Sequence, residues 1–406
     1  MRWRIVVFVT ALKVLLFPAY RSTDFEVHRN WLAITSSLPL RQWYTNTTSQ
    51  WTLDYPPLFA WFEWALAQAA WLVDPAMLDV ANLGYASDST ILFQRGSVIV
   101  SDAALISGAW FATRREPEPR RSLAVFLLVA NSGLLLVDHV HFQYNGLLLG
   151  ILVWSLALVR EGRSLAGGVL FAVLLNMKHL FACLAPVYFV HLLRHHCRGP
   201  HAMRRFAVLG ACVAGVFAVS FGPFVLAGQL RQVLGRLFPF QRGLCHAYWA
   251  ANVWALYAAA DKALAAGLQL LGRPAAAPAA NLTGGLVGVS SFAVLPDVSP
   301  AAALALVLAA LAPCLVRLWR APDPAGFVHA VAYAAMCSFM AGYHVHEKAA
   351  LMVTVPLALD AIRSRPAARD WLFLSATAHY ALLPLLFTLA EYPIKVLIYG
   401  IYTPKA

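Results

Sequence analysis

The chain has 406 residues, 60% of them hydrophobic and only 12% charged, with a mean hydropathy of +0.65. Soluble domains carry about 25% charged residues, so this composition excludes an ordinary soluble domain and implies a polytopic, all-α membrane protein. The formal net charge of +12 comes largely from basic residues in short clusters between apolar runs, a mark of membrane topology rather than of nucleic-acid binding.

Residues 5–18 resemble a signal-peptide core, but no small-residue cleavage site follows, so they read as an uncleaved first span. Arg2 and Arg4 before it begin a series of basic clusters that continues at 114–121, 194–205, 317–320 and 363–369. If these face the cytoplasm, the segments between them, 19–57 first, face the other side. Within 19–57, Thr23-x-x-Glu26 has capping-box spacing and predicts a helix starting at Asp24. Asp24, His28 and Trp31 then share one face, and Pro39 ends the helix. With Trp43, Tyr44 and Trp51 behind it, the segment reads as an amphipathic helix lying on the membrane surface. Asn46-Thr47-Thr48 is a sequon that fits an endoplasmic-reticulum lumenal face; Asn281-Leu282-Thr283 is a second. Pro56-Pro57 fixes Asp54 at a rigid corner where the next span begins.

Farther on, 58–73 and 91–112 read as spans, although two spans there break the parity the basic clusters require. Arg95 and Asp102 are seven apart, which predicts a network within one helix. "DHVHFQYN", 138–145, packs Asp138, His139, His141, Gln143 and Asn145 between two apolar runs and reads as a polar structural cluster. Its HxH pair lacks a third metal ligand at helical spacing. Lys178 and His179 lie inside an apolar stretch, where a lysine costs about 2.5–3.5 kcal/mol and needs a cavity or a partner. Phe206–Gly228 has no charge and Pro300–Val316 is apolar, while 325–343 and Trp371–Ala390 carry one His each. The expected total is nine to eleven spans. No internal repeat is detectable, no period-two pattern supports a barrel, and the six cysteines form no CxxC pair.

"STDFEVHRNWLAITSSLPLRQWY…WTLDYPPLFAWFE" resembles the first lumenal loop of the dolichyl-phosphate-glucose-dependent glucosyltransferases of the endoplasmic reticulum. The likeness continues in order through "LLVDHVHFQYNGLLLG", "RLFPFQRGLCHAYWAANVWALY", "TGGLVGVSSFAVLP" and "SFMAGYHVHEKAAL". It implies one integral-membrane domain over 1–406 with the GT-C fold, whose lumenal amphipathic-helix loop (19–57) follows the first transmembrane helix. It also implies a chain shorter at its C-terminal end than the family, which generally continues beyond "EYPIKVLIYG". "RGLCHAYWA" with "GYHVHEK" is similar to the branch that adds the second glucose, in α-1,3 linkage, to the lipid-linked oligosaccharide. The branch adding the first glucose is the alternative. A secondary transporter is the alternative from another class, but it needs no large aromatic-rich loop.

The resemblance makes Asp24 the general base of an inverting transfer. Glucose leaves an already anionic phosphate, so one carboxylate suffices where glycosidases need two. Asp54 is then expected in sugar recognition. His346 and Lys348 of "HVHEK" hold the donor phosphate, with Glu347 as ion-pair partner, and His28 and Lys178 join the substrate-binding set. Arg242, His246, Tyr248 and Trp249 are the expected acceptor contacts. No metal and no cofactor beyond the dolichyl phosphate glucose donor is expected. The partners are dolichyl-linked lipids and the bilayer, with no nucleic acid and no inferable protein. The implied location is the endoplasmic-reticulum membrane, with the active site facing the lumen.

Overall fold

The opening apolar run folds as α1 (Arg2–Leu15) in a computed structural model that describes residues 2–238, 243–245, 250–273 and 291–402. Ser22 then caps α2 (Thr23–Ser37), its hydroxyl accepting the Asp24 amide at 3.1 Å. The expected capping box does not form. The cap is Ser22, and Glu26 instead takes the Arg29 guanidinium through Nε at 2.7 Å and Nη2 at 2.8 Å. Nor does α2 lie on a surface. His28 to Thr35 are all buried, enclosed by α3 (Pro57–Val73) and the Pro75–Leu78 turn. Pro57 opens α3 at a position where its missing N–H costs nothing.

The expected span 91–112 is two helices, α4 (Asp88–Ser101) and α5 (Ala103–Ala112), broken at Asp102. The Asp102 carboxylate is 2.6 Å from Lys13 Nζ of α1 and 2.9 Å from His139 Nε2, so it turns to neighbouring elements rather than along its own helix. Next, α6 (Arg120–Val129), the single turn α7 (Ser132–Leu134) and a π-helical stretch, Leu135–Phe142, form one buried helical run. Such π segments widen a helix and are frequent at functional sites.

Next, α8 (Asn145–Arg160) packs against α5, and α9 (Ser164–Met177) packs against α8. The apolar stretch holding Lys178 is also broken. Lys178 is extended, at φ −151° and ψ 113°, and His179–Leu184 is a 3-10 turn before α10 (Ala185–His191). The remainder comprises α11 (Ala202–Leu226), α12 (Leu230–Leu237), α13 (Val253–Leu270), α14 (Pro300–Arg320), α15 (Phe327–Ala341), α16 (Leu351–Ala361), α17 (Arg365–Leu382) and α18 (Tyr392–Tyr402).

Among the described residues the regular structure is helical, apart from one isolated bridge between Cys245 and Val345. Among the described residues, three helical runs are long and apolar enough to cross a membrane: Arg120–Phe142, α11 and α14. Three more, α8, α9 and α15, are apolar but shorter. Two of the expected apolar stretches, those holding Asp102 and Lys178, are interrupted helices rather than single long ones. The interruptions at Asp102 and Lys178 fall where polar side chains turn inward, and irregular backbone is tolerated in a membrane protein where it is enclosed by protein.

Candidate active site

The Ser22 cap places Asp24 in the first turn of α2, where the helix dipole favours a carboxylate. Three side chains converge on its Oδ2. Gln143 Nε2 donates at 2.6 Å, Lys348 Nζ at 3.0 Å, and His141 Nε2 lies at 3.1 Å. Lys348 Nζ is also 2.8 Å from His141 Nε2. One imidazole nitrogen cannot accept from Lys348 and donate to Asp24 at once. Donation from Nε2–H to Asp24 is the arrangement in which His141 favours the carboxylate's charge. Burial pushes the Asp24 carboxyl up, but Lys348 and His141 outweigh it and hold it well below the usual carboxylate range.

The cluster continues inward. Gln143 Oε1 accepts from Asn145 Nδ2 at 2.8 Å, and the same amide donates to Asp138 Oδ1 at 2.8 Å. Lys178 Nζ reaches Asn145 Oδ1 at 3.5 Å and lies 5.0 Å from the Tyr55 ring centroid. Tyr55 sits among acids. Burial first, then Asp54, Asp24 and Asp138, push its hydroxyl well above the ordinary value. Asp54 and Lys178 thus border the same polar interior as Asp24.

The loop after α15 brings in the other end of the chain. His346 precedes the Glu347–Ala350 turn, half-buried, with its ring 6.0 Å from that of His344. The expected ion-pair partner of Glu347 is not found among the described residues. Its side chain is buried, neither oxygen has a hydrogen-bond partner among those residues, and burial pushes the carboxyl up.

His28 also stands apart from the expectation. Its Nδ1 is 2.6 Å from Glu63 Oε1 of α3, and its ring packs against Trp31, Phe59, Phe142 and Tyr144. It shares α2 with Asp24 but turns into the core, as a link between α2 and α3. Arg242, His246, Tyr248 and Trp249 lie outside the described residues.

His141 and Gln143, read from sequence as a structural cluster, are direct partners of Asp24. Nothing in their local spacing announces this, since Gln143 is 119 residues from Asp24. The signal was the polar island itself, too polar for its apolar flanks. Its HxH pair splits between two acids, His139 facing Asp102 and His141 facing Asp24.

An all-helical, apolar chain that encloses a carboxylate among cations has the make-up of a polytopic membrane enzyme. The chain belongs to the ALG6, ALG8 glycosyltransferase family, whose sequence pattern matches residues 9–404. It is 53% identical over 393 residues to a protein of Arabidopsis thaliana named dolichyl pyrophosphate Glc1Man9GlcNAc2 alpha-1,3-glucosyltransferase, covering 96% of this chain and 78% of the relative. Proteins of the same name from Neurospora crassa and Mus musculus are each 49% identical, covering 97% of this chain and 80% of each relative.

Proposed function

We propose that this chain transfers glucose from dolichyl phosphate glucose to Glc1Man9GlcNAc2-PP-dolichol, in α-1,3 linkage and with inversion. The reading places it as one GT-C domain in the endoplasmic-reticulum membrane, with the 19–57 loop and the active site facing the lumen. The names of the relatives support the acceptor and the linkage.

One observation carries the mechanism. All three contacts to Asp24 fall on Oδ2, which leaves Oδ1 without a partner among the described residues. A carboxylate anchored by one oxygen and open at the other is oriented to accept a proton. In the reaction, the acceptor hydroxyl attacks C1 of glucose and its proton passes to Asp24 Oδ1. The C1–O bond to phosphate breaks, and dolichyl phosphate leaves with the electron pair. Lys348 spends one of its three N–H donors on Asp24. The others are available to the phosphate as it gains charge. His346 stands beside it, and Lys178, with Asp54 and Tyr55, lines the interior where the sugar would sit. Arg242, His246, Tyr248 and Trp249 remain the acceptor contacts of this reading, and none of the chemistry routes through a metal.

The test is transfer in reconstituted membranes with dolichyl phosphate glucose, offering Man9 and Glc1Man9 lipid-linked acceptors separately. Transfer to Glc1Man9 alone is expected. Asp24→Asn is expected to lose about 10²–10⁴ of the rate, the range of a general base. Transfer to Man9 would move the chain to the first-glucose branch. Full activity of a folded Asp24→Asn would remove Asp24 as the base.

A further inference from the structure

We propose that Arg95 is a positioning residue that clamps the segment carrying Asp24 onto the segment carrying His141 and Gln143. The proposal rests on the reading of Asp24 as the base. Arg95 lies on α4, is 2% exposed, and was expected to pair with Asp102. It does not. Its guanidinium is given to four backbone carbonyls on two separate segments.

Nη1 donates to His139 O, and Nη2 donates to Val140 O at 3.3 Å. Nη2 also donates to Tyr20 O at 2.9 Å and Ala19 O at 3.2 Å. Residues 19–20 lead directly into the Ser22 cap and Asp24. Residues 139–140 lead directly into His141 and Gln143. One planar fork therefore sets the distance between the base and the two partners that hold its Oδ2. A second stitch runs parallel, from Ser22 Oγ to His141 O.

The clamped backbone needs a clamp. Phe142, between His141 and Gln143, has φ +87°, a conformation strained for a non-glycine residue and kept only where the surroundings enforce it. That turn carries the side chain of Gln143 to Asp24. Arg95 holds the carbonyls of His139 and Val140, Ser22 holds that of His141, and the buried Phe142 ring is held by Phe25 at 5.2 Å and Tyr144 at 5.7 Å between centroids. A lysine cannot reproduce the clamp, because a point charge lacks the fork that spans two segments.

The experiment compares the full chain in nanodiscs with Arg95→Gln and Arg95→Lys. It reads kcat, both KM values, and hydrogen exchange across the peptides covering 19–31 and 139–146. Arg95→Gln is expected to speed exchange in both peptides together and to lower kcat about 100-fold, the scale of a 1 Å misplacement, with both KM values little changed. Arg95→Lys is expected to fall between it and the wild type, and it carries the test should Arg95→Gln not fold. Unchanged exchange in the two peptides overturns the clamp, whether or not the wild-type chain transfers glucose. Faster exchange with unchanged kcat, or a kcat that falls only with the folded fraction, overturns the positioning role. A wild type that transfers glucose to neither acceptor removes the glucosyltransferase reading, and exchange alone then decides the clamp.

Discussion

At the scale of single residues, Asp24 is set by a competition. Burial disfavours its charge, and Lys348 with His141 restores it. The sign of the pH dependence follows. A carboxyl held below its unfolded value near 3.9 contributes stability above that pH, and loses it as pH falls through the folded value. If Asp24 is the base, activity follows the same group, and the acid limb of the rate profile should lie below the usual carboxylate range. Lys348→Met removes the cation that does most to favour the charge and leaves burial opposed by His141 and Gln143. The acid limb should then move to higher pH, and the donor KM should rise as the phosphate loses a donor. A pH–rate profile that does not move would show that Lys348 does not set the ionisation of Asp24. Asp24 and Lys348 were legible in the sequence because each stands in a distinctive charged motif, "TDFE" and "HVHEK". His141 and Gln143 were not, because a polar pair flanked by apolar residues looks the same whether it braces a core or faces a ligand.

At the scale of elements, the apolar runs and the start of α3 were legible from composition and proline, while the breaks were not. Asp102 and Lys178 are charged residues in largely apolar stretches, compatible with an unbroken helix in local propensity. Tertiary partners decide otherwise: Lys13 and His139 for Asp102, and Asn145 for Lys178. The crossing of α5 on α8 shows the same limit. A Cβ added at Gly150 would meet the Leu105 amide nitrogen at 2.4 Å and the Ala104 carbonyl carbon at 2.5 Å. Backbones approach this closely only over glycine, the small-residue packing that holds helices together in lipid. Gly150→Ala must push α5 off α8, because backbone has no rotamer to escape into. The expected loss is about 1–3 kcal/mol or more, seen as a lower melting temperature in detergent. An unchanged melting temperature would mean that the two helices are free to separate there.

At the scale of the whole molecule, the site is built from both ends of the chain, since the Asp24–Lys348 contact spans 324 residues. The family motifs gave the parts of such a site, but not their meeting, because residues that far apart leave no periodic trace. A second long-range seam joins the loop after α15 to the segment before α13. The His344 amide donates to Leu244 O at 2.9 Å, and its Nδ1 donates to Gly243 O at 2.7 Å. Trp254 Nε1 donates to Gly342 O at 2.7 Å, and Asn252 Nδ2 to Phe339 O at 3.1 Å. In sequence, the "HAYW" residues proposed to meet the acceptor lie between Leu244 and Asn252, and the other side of the seam leads within four residues to Lys348. His344 has φ +56°, so His344→Gly keeps a backbone that glycine adopts freely while deleting the imidazole. If the seam holds the acceptor loop in register, the acceptor KM should rise about two- to tenfold, the equivalent of one hydrogen bond of about 0.5–1.5 kcal/mol. The donor KM and kcat should hold, because the amide bond to Leu244 and the Asp24 cluster remain. A rise in the donor KM of the same size would show that the seam serves Lys348 and the phosphate instead. No change in either would mean that the backbone half of the seam suffices.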